Sequence, residues 1–178
     1  MNLDQLKYPI GKFSRPTTIT THDITQWITE IEMLPAQVRT AVESLNDAQL
    51  DTPYRPEGWT VRQLAHHLPD SHLNSYIRFK LALTEDNPTI KPYMEERWAE
   101  LPDGKTAPIA TSLDLLESLH KRWVQTLHNI TPEQWQRTFF HPESKKEFPL
   151  DVVLSIYVWH GKHHLAHITE LKKRMDWR

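Results

Sequence analysis

Residues 150–175 read LDVVLSIYVWHGKHHLAHITELKKRM, and the fold turns on how that stretch is read. Val153, Ile156, Tyr157, Ile168 and Leu171 recur at helical intervals and no proline interrupts them, so the spacing predicts one long amphipathic helix from Leu150 to Met175. At about 100° per residue, His160 and His164 fall within about 30° of the mean direction of that apolar face. His167 lies near the same stripe but further along, and His163 is rotated away from its centre. Two imidazoles one turn apart on a buried face can share one metal ion. Eleven histidines will also produce such pairs by chance, so a metal site needs a third donor from elsewhere in the chain.

Working outward, the same periodicity predicts three further long helices. The first starts at Ile24 and turns Trp27, Ile28, Ile31, Leu34, Val38, Val42 and Leu45 inward, with a bend at Pro35. The second opens at Val61 behind the capping box Thr60-Val61-Arg62-Gln63 and runs to about Leu83. The third covers about Ser112 to Asn129, with Leu115, Leu116, Leu119, Trp123 and Leu127 inward. Residues 84–111 hold four prolines and one short helical turn at Glu95–Ala99, which makes a long crossover and lets the third helix run parallel to the second. Thr131-Pro132-Glu133-Gln134 starts a short helix, and 137–148 can form a small hairpin around His141-Pro142-Glu143-Ser144. Residues 1–20 read as irregular. The expectation is an all-α four-helix bundle forming a single domain over residues 1–178.

Composition removes several classes of function. With 21 basic and 23 acidic residues the chain lacks the positive excess that binding to a phosphate backbone requires, so nucleic acid is not an expected partner. There is no cysteine, which leaves neither disulfides nor a thiolate nucleophile; sulfur chemistry here needs a thiol supplied by a substrate. The opening MNLDQLKYPIGKF has no apolar core suited to a signal peptide, and no run of about 18 apolar residues exists. The expected setting is cytoplasmic, with no membrane contact.

The third donor comes from WTVRQLAHHLPDSHLNS, the other histidine-dense helix start. Facing alone leaves His66 and His67 both open: His67 flanks the apolar edge beside Leu64, and His66 falls further toward solvent. Three neutral imidazoles would leave a four-coordinate Zn²⁺ one open position, the mark of a catalytic ion. The zinc-peptidase motif H-E-x-x-H is not met, because Gly161 stands where its general base would be. A coordinated thiol needs less help from a base, since coordination itself lowers its pKa.

Residues 58–93, GWTVRQLAHHLPDSHLNSYIRFKLALTEDNPTIKPY, together with YVWHGKHHLAHI at 157–168, resemble the DinB-like superfamily, most closely its YfiT-type metal-dependent hydrolases. The two motifs, their order and their separation cover nearly the whole chain. The resemblance implies an up-down-down-up four-helix bundle, metal ligands at His67, His160 and His164, one divalent ion per chain such as Zn²⁺ or Ni²⁺, and a homodimer. The wider superfamily includes S-transferases that use bacillithiol or mycothiol and thiol-dependent isomerases. It therefore implies a small-molecule substrate, with a low-molecular-weight thiol as one possibility. Pro69 is the unexpected residue, because it removes a backbone donor just past His67 and should bend the helix there.

Around this site Ser71, Asn74 and Arg78 share a stripe with His67, and Arg78 can anchor a carboxylate or other anion. Asp70 projects the other way and reads as a surface residue. Trp59 and Trp159 either wall the pocket or simply pack. His22, His72, His120, His128 and His141 read as scattered polar positions. Two classes of function follow. One is a metal-dependent hydrolase, or its thiol-transferring counterpart. The other is a non-enzymatic, metal-binding stress-response protein in which the ion only ties helices together.

Overall fold

The computed structural model describes residues 2–177. Helices run in chain order as α1 (Leu3–Lys7), α2 (Thr21–Val42), α3 (Asp47–Leu50), α4 (Val61–Thr84), α5 (Glu95–Ala99), α6 (Pro102–Thr106), α7 (Ala110–Leu127) and α8 (Leu150–Arg174). A 3₁₀ turn at Gln134–Gln136 leads into an antiparallel hairpin, β1 (Thr138–His141) with β2 (Lys146–Pro149), in which Phe139 faces Phe148. The long helices are α2, α4, α7 and α8. α2 packs on α7 and α8, and α4 packs on the same two, so the order around the bundle is α2, α7, α4, α8. This is the four-helix bundle that the periodicity predicts, with the up-down-down-up course that the resemblance implies.

Helix starts follow local chemistry. Thr60 accepts from the Gln63 amide nitrogen while the Gln63 side chain accepts from the Thr60 nitrogen, the capping box expected for α4. Thr20 and Asp23 do the same for α2, which therefore opens three residues before Ile24 and ends at Val42, leaving Leu45 buried beyond its end. The N-terminal stretch is not wholly irregular, because Asn2 and Gln5 cap the short α1. α3 and α6 are further short helices that apolar periodicity did not reveal. Pro35 and Pro69 both sit inside continuous helices.

Two apolar clusters fill the bundle. One gathers Ile31, Phe79, Trp123, Leu127, Leu150 and Leu154; the other gathers Leu34, Val38, Leu64, Leu68, Leu116 and Ile168. Near the junction of the two sets, buried polar side chains gather beside the apolar Leu119 and Pro69: His67, Ser71, His72 and Ser75 on α4, His120 on α7, and His164 and His167 on α8. A polar layer thus crosses the middle of the core. Leu115, expected inward, is 43% exposed, because it lies off the Leu113, Leu116, His120, Trp123, Leu127 stripe that α7 buries.

The crossover is stitched down at both ends. Phe140 donates to the Pro88 carbonyl (2.9 Å) and Ile90 donates to the Phe140 carbonyl (3.1 Å), tying it to β1. Gln63 donates to the Ala99 carbonyl (2.8 Å) and Arg62 to the Ala107 carbonyl (3.2 Å), tying it to the start of α4. The Arg137 guanidinium donates to the Ala82 and Glu85 carbonyls at the C-terminal end of α4. α5 and α6 are thereby held against α4.

α8 meets α2 at Gly161, where an added Cβ would run into the Leu34 methyl groups. Gly161→Ala gains about 1 kcal/mol of helix propensity against about 1–3 kcal/mol of overpacking. A net loss of up to about 2 kcal/mol is expected in urea unfolding. Combining it with Leu34→Ala should cost less than the sum of the two single changes; strict additivity would mean that the seam is not the cause.

Candidate metal centre

His67 stands two turns into α4, and His160 and His164 lie mid-way along α8, so three rings from two helices converge on one point of the polar layer. The Nε2 atoms of His67 and His160 are 3.3 Å apart and those of His164 and His160 are 3.1 Å apart. Ligand atoms of all three lie within 4.8 Å of one another. Burial pushes the His67 imidazole down to about 4 and those of His160 and His164 well below the ordinary value, so all three are neutral near pH 7. A neutral ring nitrogen offers either one proton or one lone pair. Two of these Nε2 atoms crowd the third, and among the described residues His164 Nδ1 has no partner. A cation at the centre would take all three Nε2 lone pairs, and three imidazole nitrogens suit Zn²⁺, Ni²⁺ or Co²⁺. The donor set fits a divalent ion.

Two cavities meet at this cluster. One of about 630 Å³ is lined by Ser71, Arg78, Tyr93, His141, Tyr157 and His160. The other, of about 720 Å³, is lined by Trp59, Gln63, His67, Trp159, His160 and His164. His160, Glu95 and Glu96 border both. Trp59 lies with its ring 4.8 Å from that of His67, and Trp159 stacks on His163 at 4.5 Å, so both tryptophans wall the second cavity. Ser71 places its hydroxyl 3.5 Å from His160 Nε2. Arg78 shares the first cavity with Ser71, whereas Asn74 turns its amide back to the Asp70 carbonyl (2.9 Å) and lines neither. Glu95, absent from the sequence reading as a site residue, has its pKa raised by desolvation and then by Glu96, with Arg78 opposing.

Several histidines sit where their own helix does not announce. His66 is buried rather than turned to solvent: Nε2 donates to the Ala107 carbonyl (3.1 Å) and Nδ1 accepts from the Ser112 hydroxyl (2.7 Å). The crossover covers that side of α4. It also half-buries Asp70, expected at the surface, whose carboxyl is raised to about 6 by desolvation and by Asp103 of α6. His163 and His167 pair through Nε2 at 3.0 Å, and His167 packs on Tyr54. His22 and His128 are exposed. His141 instead lines the first cavity. His72 and His120, which by sequence read as scattered polar positions, are buried in the middle of the bundle, where His72 Nε2 lies 3.3 Å from His160 Nδ1 and His72 Nδ1 lies 2.9 Å from His120 Nε2. Gly161 faces Leu34, so a carboxylate at that position would enter the helix seam rather than the cavities.

The model of the DinB superfamily matches residues 30–168. The chain belongs to the DinB superfamily. A Bacillus cereus (strain ATCC 10987) protein named "Putative metal-dependent hydrolase" is 57% identical over 175 residues, which is 98% of this chain and 100% of that one. A Bacillus mycoides relative described in the same words is 56% identical with the same coverage. The solved structure of YfiT from Bacillus subtilis, described as "a probable metal-dependent hydrolase with an unusual four-helix bundle topology", superposes with a TM-score of 0.96 at 52% identity, covering 98% of this chain and 99% of that one. A mycothiol-dependent maleylpyruvate isomerase shares the fold at a TM-score of 0.60 and 19% identity, over 82% of this chain and 63% of its own. Among the described residues no helix is long and apolar enough to cross a membrane.

Proposed function

We propose that this DinB-superfamily chain is a metal-dependent hydrolase that holds one divalent ion, Zn²⁺ or Ni²⁺, through His67, His160 and His164. The observation that carries the reading is the convergence of three neutral, desolvated ring nitrogens beside two cavities large enough for a small molecule. The names of its relatives point the same way. When bound, such an ion supplies Lewis acidity at its open position, making a water or thiol there a stronger acid. The chain's own residues do the rest. Arg78 anchors a negatively charged group of the substrate in the first cavity. Glu95, bordering both cavities with a raised pKa, takes up the proton that the nucleophile releases, the part Gly161 cannot play. Tyr157, Trp59 and Trp159 shield the reacting groups from bulk water.

Transfer to a low-molecular-weight thiol is a second reading, favoured by the two cavities that share His160, since one can seat the thiol and the other its electrophile. Protein loaded with Zn²⁺ or Ni²⁺ should consume carboxylate-bearing activated esters in water, or electrophiles only when a thiol is added. That contrast separates the two readings. Glu95→Gln should lower kcat by about 10²–10⁴-fold. Arg78→Ala should raise KM by about 10–100-fold, the loss of a charge-assisted hydrogen bond. Equal turnover in metal-free protein would remove the metal-dependent reading. Firm metal binding without any turnover, with cobalt spectra of a closed shell, would leave a metal-binding protein instead.

A further inference from the structure

Behind the three converging rings runs a line of hydrogen bonds that ends on the backbone of a different helix. His120 Nδ1 lies 2.6 Å from the Ile31 carbonyl of α2, His120 Nε2 lies 2.9 Å from His72 Nδ1, and His72 Nε2 lies 3.3 Å from His160 Nδ1. His72 is 0% exposed and His120 1%, and among the described residues neither ring is hydrogen-bonded to a carboxylate. Their surroundings are aromatic: the His72 and His120 rings meet edge to edge with their planes 18° apart, and His72 meets Trp123 and Tyr157 at steep angles. Charged rings would be costly there, so each carries one proton.

The end of the line sets its direction. A carbonyl oxygen only accepts, so His120 Nδ1 must carry the proton and its Nε2 is bare. His72 Nδ1, facing that bare nitrogen, must then donate, which leaves His72 Nε2 bare. His160 Nδ1, facing that in turn, must donate. What remains on His160 is an Nε2 lone pair, directed at the point where His67 and His164 converge. Reversing any one ring would set lone pair against lone pair or proton against proton, so the orientation is collective. The line cannot carry a proton out either, because the Ile31 carbonyl has none to exchange.

We propose that His72 and His120 are positioning residues, which lock His160 in the Nδ1–H tautomer so that its Nε2 lone pair is presented before any ion arrives. The inference rests on the reading of His160 as a ligand given above. It makes the three rings unequal: His160 is anchored through two further histidines to α2, whereas among the described residues His164 Nδ1 has no partner. Outer partners of metal-bound histidines commonly raise affinity by about 10–100-fold, and here that partner would be an imidazole pair rather than a carboxylate.

The test reads protonation site by site. Long-range proton–nitrogen NMR spectra of metal-free, ¹⁵N-histidine-labelled protein near pH 7 should show His72, His120 and His160 all as Nδ1–H tautomers. In His120→Leu, His160 should gain Nε2–H population, and Zn²⁺ affinity measured against a chromophoric chelator should fall about 10–100-fold. Circular dichroism checks that the variant is folded. Wild-type His160 found mainly as the Nε2–H tautomer would overturn the proposal, and so would a folded His120→Leu with unchanged tautomer and affinity. Should the variant not fold, the wild-type spectrum decides alone. Failure of Zn²⁺ to bind at the three histidines would instead sink the metal reading while leaving the tautomer assignment standing.

Discussion

His160→Ala is expected to lose its metal and, with it, all metal-dependent turnover. The change removes one of the three proposed ligands, so the fall in Zn²⁺ affinity should exceed the roughly 100-fold that loss of an outer partner can cost. It also strips His72 Nε2 of its neighbour, leaving a buried polar nitrogen unpaired at about 1–3 kcal/mol. The neighbouring imidazole His163 gives a matched control. It stacks on Trp159 at the edge of the second cavity and pairs with His167, so His163→Ala should retain stoichiometric metal. Elemental analysis of both purified variants, alongside their melting curves, makes the comparison. Stoichiometric Zn²⁺ in folded His160→Ala would show that the three-ring cluster is not the site.

A steep loss of stability in mild acid is the second large effect. Burial holds the His120 ring at a pKa of about 4, against an unfolded value of 6.5, so between those values the unfolded chain binds the extra proton and the folded chain does not. Stability contributed by the neutral ring is therefore full above about pH 6.5, declines as pH falls, and stops declining below about pH 4. Over that window one such group removes about 3 kcal/mol, a large part of the 5–15 kcal/mol typical of a domain. Urea unfolding of metal-free protein across pH 4–7 measures it. His120→Leu, which takes no proton in either state, should show a flatter acid limb by about that amount. An identical pH dependence in the two proteins would contradict the assignment.

Local chemistry is what the sequence exposed well. The Thr60–Gln63 capping box, the α5 turn at Glu95–Ala99 and the hairpin of 138–149 are specified within a few residues, and each appears where its residues indicate. The i, i+4 spacing of His160 and His164 likewise put both rings on one inward face, His164 buried and His160 half-buried. What escaped was tertiary. No property of α4 by itself says that the crossover will cover His66 and Asp70, because that depends on α5 and α6 packing back onto it. His72 and His120 are different, since a usable signal was present. Leu64, Leu68, His72, Ser75 and Phe79 form one stripe, as do Leu113, Leu116, His120, Trp123 and Leu127. A histidine on a core stripe must find a partner inside the protein. Their place on those two apolar stripes is the signal that marks these two out.

The crossover is fastened to the hairpin at Ile90 and to α4 at Ala99, and the span between those two fixed points carries Tyr93, Glu95 and Glu96 over the histidine cluster. That span contributes little to the helix-on-helix core. Insertions, deletions or changes of charge there would alter the ceiling of the chamber while its histidine floor and the bundle beneath stay as they are. Descendants of one ancestor could thus diverge in diet by editing a single roof tile, which is one way for a common scaffold to serve unrelated chemistries.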